Sequence, residues 1–245
     1  MSKGASSSLK LLSALASGLL SVTFAATVAS AQSFSKTFSV SPESCWLEVT
    51  NQTGSIKVTA NNAATNKVVI NAKQVDSEAR TVATQAADGK IKVEVNGRGP
   101  VDFEINVPPS TKVNLYTYKG AISVVNLVGS VRARITTEGN IQLTGLRSSE
   151  VFAHSISGNV VFNGDVLPDG EYTLKSFSGR VDVTFPPNAS FRLSASSIGG
   201  VMDLGGFPMK FDRQTDQLVE AACGNGRAKV VLWTQEGSIH LRRKP

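Results

Sequence analysis

Histidine, cysteine and aromatic residues are all scarce here: two histidines, two cysteines and 7% aromatics in 245 residues. His154 and His240 stand far apart in the chain, each at an outward position of an alternating pattern. Neither has the closely spaced Cys, Asp or Glu companions that a metal site draws on. The chain also lacks a Gly-x-Ser-x-Gly elbow, a His-Glu-x-x-His helix, a Walker-type loop and a dinucleotide Gly-x-Gly-x-x-Gly turn. The commonest hydrolase, metalloprotease and nucleotide-binding designs are therefore excluded, and no cofactor is expected. The only tryptophans, Trp46 and Trp233, lie near opposite ends. They give no platform for stacking sugar rings, and the expectation is that each caps the core.

Long apolar runs are also lacking, with one exception at the start. Lys3 and Lys10 precede the run Leu11–Leu20, and small residues follow, ending in Ala29-Ser-Ala31. That order describes a secretory signal peptide over residues 1–31, with cleavage expected after Ala31. No cysteine closes the run to accept a lipid, and no later segment approaches the about 18 to 20 apolar residues needed to span a bilayer. The mature chain, Gln32 onward, is expected to be exported to the periplasm or cell surface with no transmembrane segment. Loss of Lys3 and Lys10 lowers the formal charge from +6 to +4. The remaining cations alternate with carboxylates except at Arg242-Arg-Lys244, so nucleic acid is not an expected partner. In an exported chain Cys45 and Cys223 can form a disulfide or remain two buried thiols, and the sequence sets no distance between them.

Glycine, by contrast, is abundant and patterned. The pentad Gly-x-apolar-x-apolar begins at Gly54, Gly89, Gly120, Gly129, Gly139, Gly158, Gly179, Gly200 and Gly237. From Gly120 to Gly200 the main series advances by 19, 19, 21 and 21 residues. A second alternating run precedes several of these glycines: Val113-Asn-Leu-Tyr-Thr, Val151-Phe-Ala-His-Ser, Tyr172-Thr-Leu-Lys-Ser and Phe191-Arg-Leu-Ser-Ala. One repeat is thus strand, glycine corner, strand. Period-two alternation buries one face of each strand, and a single coil cannot close its own core, so the coils must stack. The fold class expected is an all-β solenoid of about 20-residue coils, with a β-sandwich as the alternative.

A single domain is expected over 33–245. Residues 33–110 read as an irregular N-terminal β cap, with strands at Phe34–Val40, Cys45–Thr50, Ser55–Thr59, Lys67–Val75, Lys90–Val95 and Val101–Val107. Regular coils follow over 111–204, then a C-terminal coil and cap over 205–245. Asp76–Asp88 reads as a long loop and 205–226 as irregular, before strands at Lys229–Trp233 and Ser238–Arg242. The extra residue between Gly129 and Gly139, and the pair Gly199-Gly200, read as bulges.

The run Ile105-Asn-Val-Pro-Pro-Ser-Thr-Lys-Val-Asn-Leu-Tyr-Thr-Tyr-Lys-Gly-Ala-Ile-Ser-Val resembles the bacterial adhesin-like family of the DUF4097 type. So do Val151-Phe-Ala-His-Ser-Ile-Ser-Gly-Asn-Val and the closing Leu232-Trp-Thr-Gln-Glu-Gly-Ser-Ile-His-Leu. The resemblance covers nearly the whole mature chain. It implies an envelope-facing β-solenoid without established enzymatic activity or cofactor.

Two constellations stand out as candidate sites. If Gly179 and Gly200 begin adjacent coils, Asp182 and Asp203 stack about 4.8 Å apart, able to hold a cation or to share a proton. The equivalent positions before them, Val161, Gln142 and Ser123, do not extend this column. Tyr116 and Tyr118 share the outward face of one strand and offer a contact surface. The expected function is non-catalytic binding or scaffolding, with an envelope protein or polysaccharide as partner. A carbohydrate-active enzyme built on Asp182 and Asp203, and an envelope-stress sensor or regulatory subunit, are the alternatives.

Overall fold

The computed structural model describes residues 32–61, 66–74 and 78–245. The leader expected over 1–31 lies outside them. The N-terminal region holds β1 (Gln32–Ser39), β2 (Trp46–Thr53), β3 (Ile56–Ala60), β4 (Lys67–Gln74), β5 (Arg80–Gln85), β6 (Lys90–Asn96) and β7 (Val101–Val107). The central region holds β8 (Lys112–Lys119), β9 (Ile122–Val125), β10 (Val131–Glu138), β11 (Ile141–Leu146), β12 (Glu150–Ser157), β13 (Val160–Gly164), β14 (Glu171–Ser178) and β15 (Val181–Phe185). The C-terminal region holds β16 (Phe191–Ser197), β17 (Met202–Asp203), β18 (Met209–Gln214), β19 (Leu218–Cys223), β20 (Ala228–Thr234) and β21 (Ile239–Arg243).

These strands form two facing sheets. One runs β1-β4-β7-β3-β9-β11-β13-β15-β21-β17, and the other β18-β19-β16-β20-β14-β12-β10-β8-β2-β6-β5. Each coil contributes one strand to each sheet, and like strands of successive coils pair in parallel, as in Val131 with Val113 and Val151. This is the solenoid and not the sandwich, because within each coil the chain crosses from one sheet to the other at the glycine corner. Alternation sets the interior: Leu47, Leu115, Ala133, Ala153, Leu174 and Leu232 line it from the larger sheet, and Val58, Val124, Leu143, Phe162, Val183 and Leu241 from the smaller. The core turns aromatic toward the C-terminal end. There Phe162, Tyr172, Phe185, Phe191 and Phe207 meet edge to face, their consecutive ring centroids 5.3–5.9 Å apart along Phe162–Phe185–Phe191–Phe207 and from Phe162 to Tyr172. The buried Tyr172 hydroxyl donates to the Ser148 carbonyl and accepts from the Leu167 N–H, so its polar tip is satisfied.

The corners explain the glycine repeat. Gly54, Gly120, Gly139, Gly158, Gly179, Gly237 and Gly200 stack in that order, and a Cβ on any of the last six would overlap the carbonyl oxygen of the glycine before it. The left-handed φ of Gly158, +146°, adds a second reason for glycine there. Three residues before each of these glycines lies a buried polar side chain, except at Gly139. Ser155 donates to the Gly139 carbonyl, Ser176 to Gly158, Thr234 to Gly179 and Ser197 to Gly237, at 2.8–2.9 Å. The corner signature is therefore Ser/Thr-x-x-Gly. Gly89 and Gly129 belong to the opposite corner, since each precedes a strand of the larger sheet.

Several expectations need correction. The coil order is not the chain order: β20–β21 inserts between β14–β15 and β16–β17, and β2–β3 inserts between β6–β7 and β8–β9. The N-terminal region is thus two full coils with antiparallel strands β1, β4 and β5 added, not an irregular cap throughout. Part of Asp76–Asp88 is β5, and 205–226 contains the antiparallel pair β18–β19. A bulge does interrupt β10, between Ile135 and Glu138. Trp46 and Trp233 cap nothing, because both lie on the outer face of the larger sheet, where Trp46 is exposed and Trp233 packs on Phe177. Cys45 and Cys223 are free and buried. Seven strand steps separate β2 from β19, about 34 Å, so no bridge between them can form within the chain.

Candidate functional site

The outer face of the larger sheet gathers most of the chemistry. Parallel register aligns one outward residue per coil, giving the row Thr50, Tyr116, Arg134, His154, Lys175, Trp233 across β2, β8, β10, β12, β14 and β20. Each of these directly precedes the corner position of the Ser/Thr-x-x-Gly signature, or its equivalent Asn51 or Ile135. The neighbouring row places Arg132 beside Phe152, and the guanidinium carbons of Arg132 and Arg134 sit 5.4 and 5.7 Å from the Phe152 ring centre. Toward the corner, Tyr118, Ile156 and Phe177 are exposed. Tyr116 and Tyr118, singled out from the sequence, do share this face. With Thr50, Gln52 and Arg98 they border one shallow depression, and the Tyr116 hydroxyl lies 3.2 Å from Thr136 Oγ1 at the β10 bulge.

The charges on this face are unevenly matched. Four cations of this sheet pair with a carboxylate on a neighbouring strand: Lys90 with Glu48, Lys119 with Glu138, Arg132 with Glu150 and Lys229 with Glu171, at 2.8–3.5 Å. Among the described residues Arg134 and Lys175 make no such pair, and His154 lies between them. Burial first, then repulsion from Arg134 and Lys175, pushes the His154 pKa below its ordinary value of 6.5. Two unpaired cations, Arg134 and Lys175, thus stand on either side of His154 on successive strands of this sheet.

On the smaller sheet the expected stacking of Asp182 on Asp203 does not occur. The inserted strand β21 puts His240 between them in register. His240 Nδ1 lies 2.7 Å from Asp182 Oδ1, and Arg180 Nε is 3.7 Å from the other carboxylate oxygen. The Asp203 carboxylate accepts instead from the Gly205 N–H at 3.3 Å. Among the described residues no group of three or more His, Cys, Asp or Glu side chains converges to hold a metal ion.

Fold and face together define a repeat β-solenoid whose reactive side chains lie on open sheet faces rather than in a cleft. The chain belongs to the family described as Toastrack DUF4097, whose model matches residues 42–242. Among solved structures it resembles one provisionally named a cell adhesion protein, from Clostridium sporogenes. That likeness has a TM-score of 0.51 at 10% identity, covering 87% of this chain and all of the other. A second, provisionally named an adhesin, from Bacteroides fragilis, has a TM-score of 0.41 at 12% identity, covering 87% of this chain and 97% of the other. No curated protein matches the chain. Among the described residues no helix is long and apolar enough to cross a membrane.

Proposed function

We propose that this protein is an exported, non-catalytic binding or scaffolding module of the cell envelope, and that it engages its partner, an envelope protein or polysaccharide, through the outer face of the larger sheet. One observation carries the reading: Arg134, His154 and Lys175 stand in register between Tyr116 and Trp233, without carboxylate partners, on a sheet whose other basic side chains mostly have them. Arg134 and Lys175 flank β12 from both sides with no carboxylate to offset them, and a local rule broken without internal compensation marks a contact surface. The leader-like segment at 1–31 supports export, and the cell-adhesion name of the Clostridium sporogenes structure accords with surface binding.

The test is retention of the mature chain, Gln32 onward, on solubilised envelope material, beside the double variant Arg134→Gln/Lys175→Gln. Loss of retention in the variant, at a thermal stability no lower than that of the parent, supports the face. Equal retention by both proteins would move the contact elsewhere.

A further inference from the structure

The row on the larger sheet also indicates which chemistry would cover it. It crosses five strands from Tyr116 to Trp233, about 19 Å at ordinary strand spacing, and so runs perpendicular to the strands. A linear polymer fits such a track better than a compact ligand. Its ends are aromatic and its middle is basic. Phe152 flanks it on one side and Phe177, 6.3 Å from Trp233 between ring centres, on the other. Aromatic rings lying along a flat face present π surfaces to the apolar C–H faces of pyranose rings, while Arg134 and Lys175 supply donors to carboxylates.

Resting on the reading of this face as the contact surface, we infer that the Tyr116–Trp233 row binds a uronate-containing polysaccharide, laid across the coils with its carboxylates at Arg134 and Lys175. Nucleic acid fits less well. A phosphate backbone calls for a dense basic footprint, whereas this row offers two permanent cations and a histidine, on a chain of modest net charge. His154 faces Arg134 and Arg132 from β10, Lys175 and, farther along the strand, Glu171 from β14, and Glu150 on its own strand. A bound carboxylate relieves the repulsion between these cations and favours the protonated imidazole.

The experiment is calorimetric titration of the mature protein with alginate oligosaccharides, with dextran, poly-glutamate and a single-stranded DNA oligomer as comparisons. Alginate is expected to bind, and dextran, which lacks carboxylates, is not. Arg134→Gln and Lys175→Gln each weaken alginate binding about fivefold and together about twenty-five-fold, as expected for separate exposed charge contacts. Affinity rises from pH 7.5 to pH 6, where uronates stay ionised, and the rise disappears in His154→Asn. Poly-glutamate or DNA binding as tightly as alginate would show that sugar rings are not being read and would overturn the inference. So would the absence of alginate binding. If alginate fails while the double variant still loses its envelope partner in the retention assay, the face stands and only the ligand class falls. If the double variant keeps that partner, the face itself is wrong.

Discussion

From β8 to β15 each coil stacks on the one that precedes it in sequence, whereas at both ends the chain tucks a terminal coil inside its neighbour. β2–β3 comes before β6–β7 in the chain yet lies inward of it, and β20–β21 comes last yet lies inward of β16–β17. The ends also change pairing: β1 and β4 extend the smaller sheet antiparallel, as β5 does at one edge of the larger sheet and β18–β19 at the other. The central coils show how local contacts build a solenoid by accretion. The ends show what such a stack needs to terminate. An exposed parallel edge would recruit further strands. Here β17 is only two residues long, and β18 carries three charges and no buried side chain. Placing the C-terminal coil inside makes the stack depend on contacts distant in sequence, which raises cooperativity at the cost of folding speed.

The sharpest way to break that comparison is deletion. Removing 228–245 takes out a coil with neighbours on both sides, where Leu174 and Leu193 both face strand β20. It should abolish the single cooperative urea transition and open the C-terminal region to proteolysis. Removing 32–39 strips an edge strand paired only with β4, together with the side-chain hydrogen bonds of Lys36 and Gln85 that tie it to β5, and should leave a cooperative transition at a lower midpoint. If the 228–245 deletion unfolds like the 32–39 deletion, then β16–β17 can close directly onto β14–β15 and the insertion is dispensable.

A smaller effect separates glycines by their setting. Gly158→Ala would drive a Cβ to 2.1 Å from the Gly139 carbonyl oxygen, a backbone atom with no free side-chain end to turn aside, at a left-handed φ. A loss of about 3 kcal/mol or more is expected. Gly226, in the turn before β20, has φ +63° but no atom closer than 3.6 Å to an added Cβ. Gly226→Ala should cost about 1 kcal/mol, the left-handed penalty alone. Denaturant midpoints compare the two directly, and equal losses would refute the stacked-corner account. Smaller again is Ser176→Ala, which leaves the Gly158 carbonyl without its side-chain donor and should cost about 1 to 2 kcal/mol.

The same contrast governs what the sequence disclosed. The coil repeat was legible because alternation and corner glycines recur at every turn of the stack. The order of coils was not, because Gly179, Gly200 and Gly237 present the same corner signature, and a pattern shared by all corners cannot say which one sits beside which. β5 gives no strand signal in the sequence because Val82 points outward while only Ala83 is buried, which inverts the usual alternation. β18 shows no periodicity because it is an edge strand with almost no buried side chain. Tyr116 and Tyr118 were found by parity along one strand. Arg134, His154, Lys175 and Trp233 were findable by asking what precedes each corner residue, a question across coils and not along strands. The supposed Asp182–Asp203 pair failed for the same reason as the coil order: it assumed that sequence neighbours are spatial neighbours, and His240 arrives from the end of the chain to separate them.

The mildest expected effect lies in the central coils, where no terminal strand intervenes. The pKa of His154 is lowered in the folded protein, by burial first and by Arg134 and Lys175 second. The folded state therefore resists the proton that the unfolded chain accepts near its ordinary pKa of about 6.5. As pH falls through that value the unfolded state gains protons and the native state does not, so stability declines from pH 7.5 toward pH 5.5. In His154→Asn this part of the decline should vanish, visible as a smaller drop in Tm over the same range. The two causes separate by salt. Repulsion from Arg134 and Lys175 across the exposed face is screened at high ionic strength, whereas the cost of desolvating the imidazolium is not. Added salt should therefore shrink the pH effect only partly, and Lys175→Gln should mimic the salt. Should Lys175→Gln leave the pH dependence unchanged at low salt, the basic row would not be an electrostatic unit, and its three side chains would have to be treated as separate surface residues.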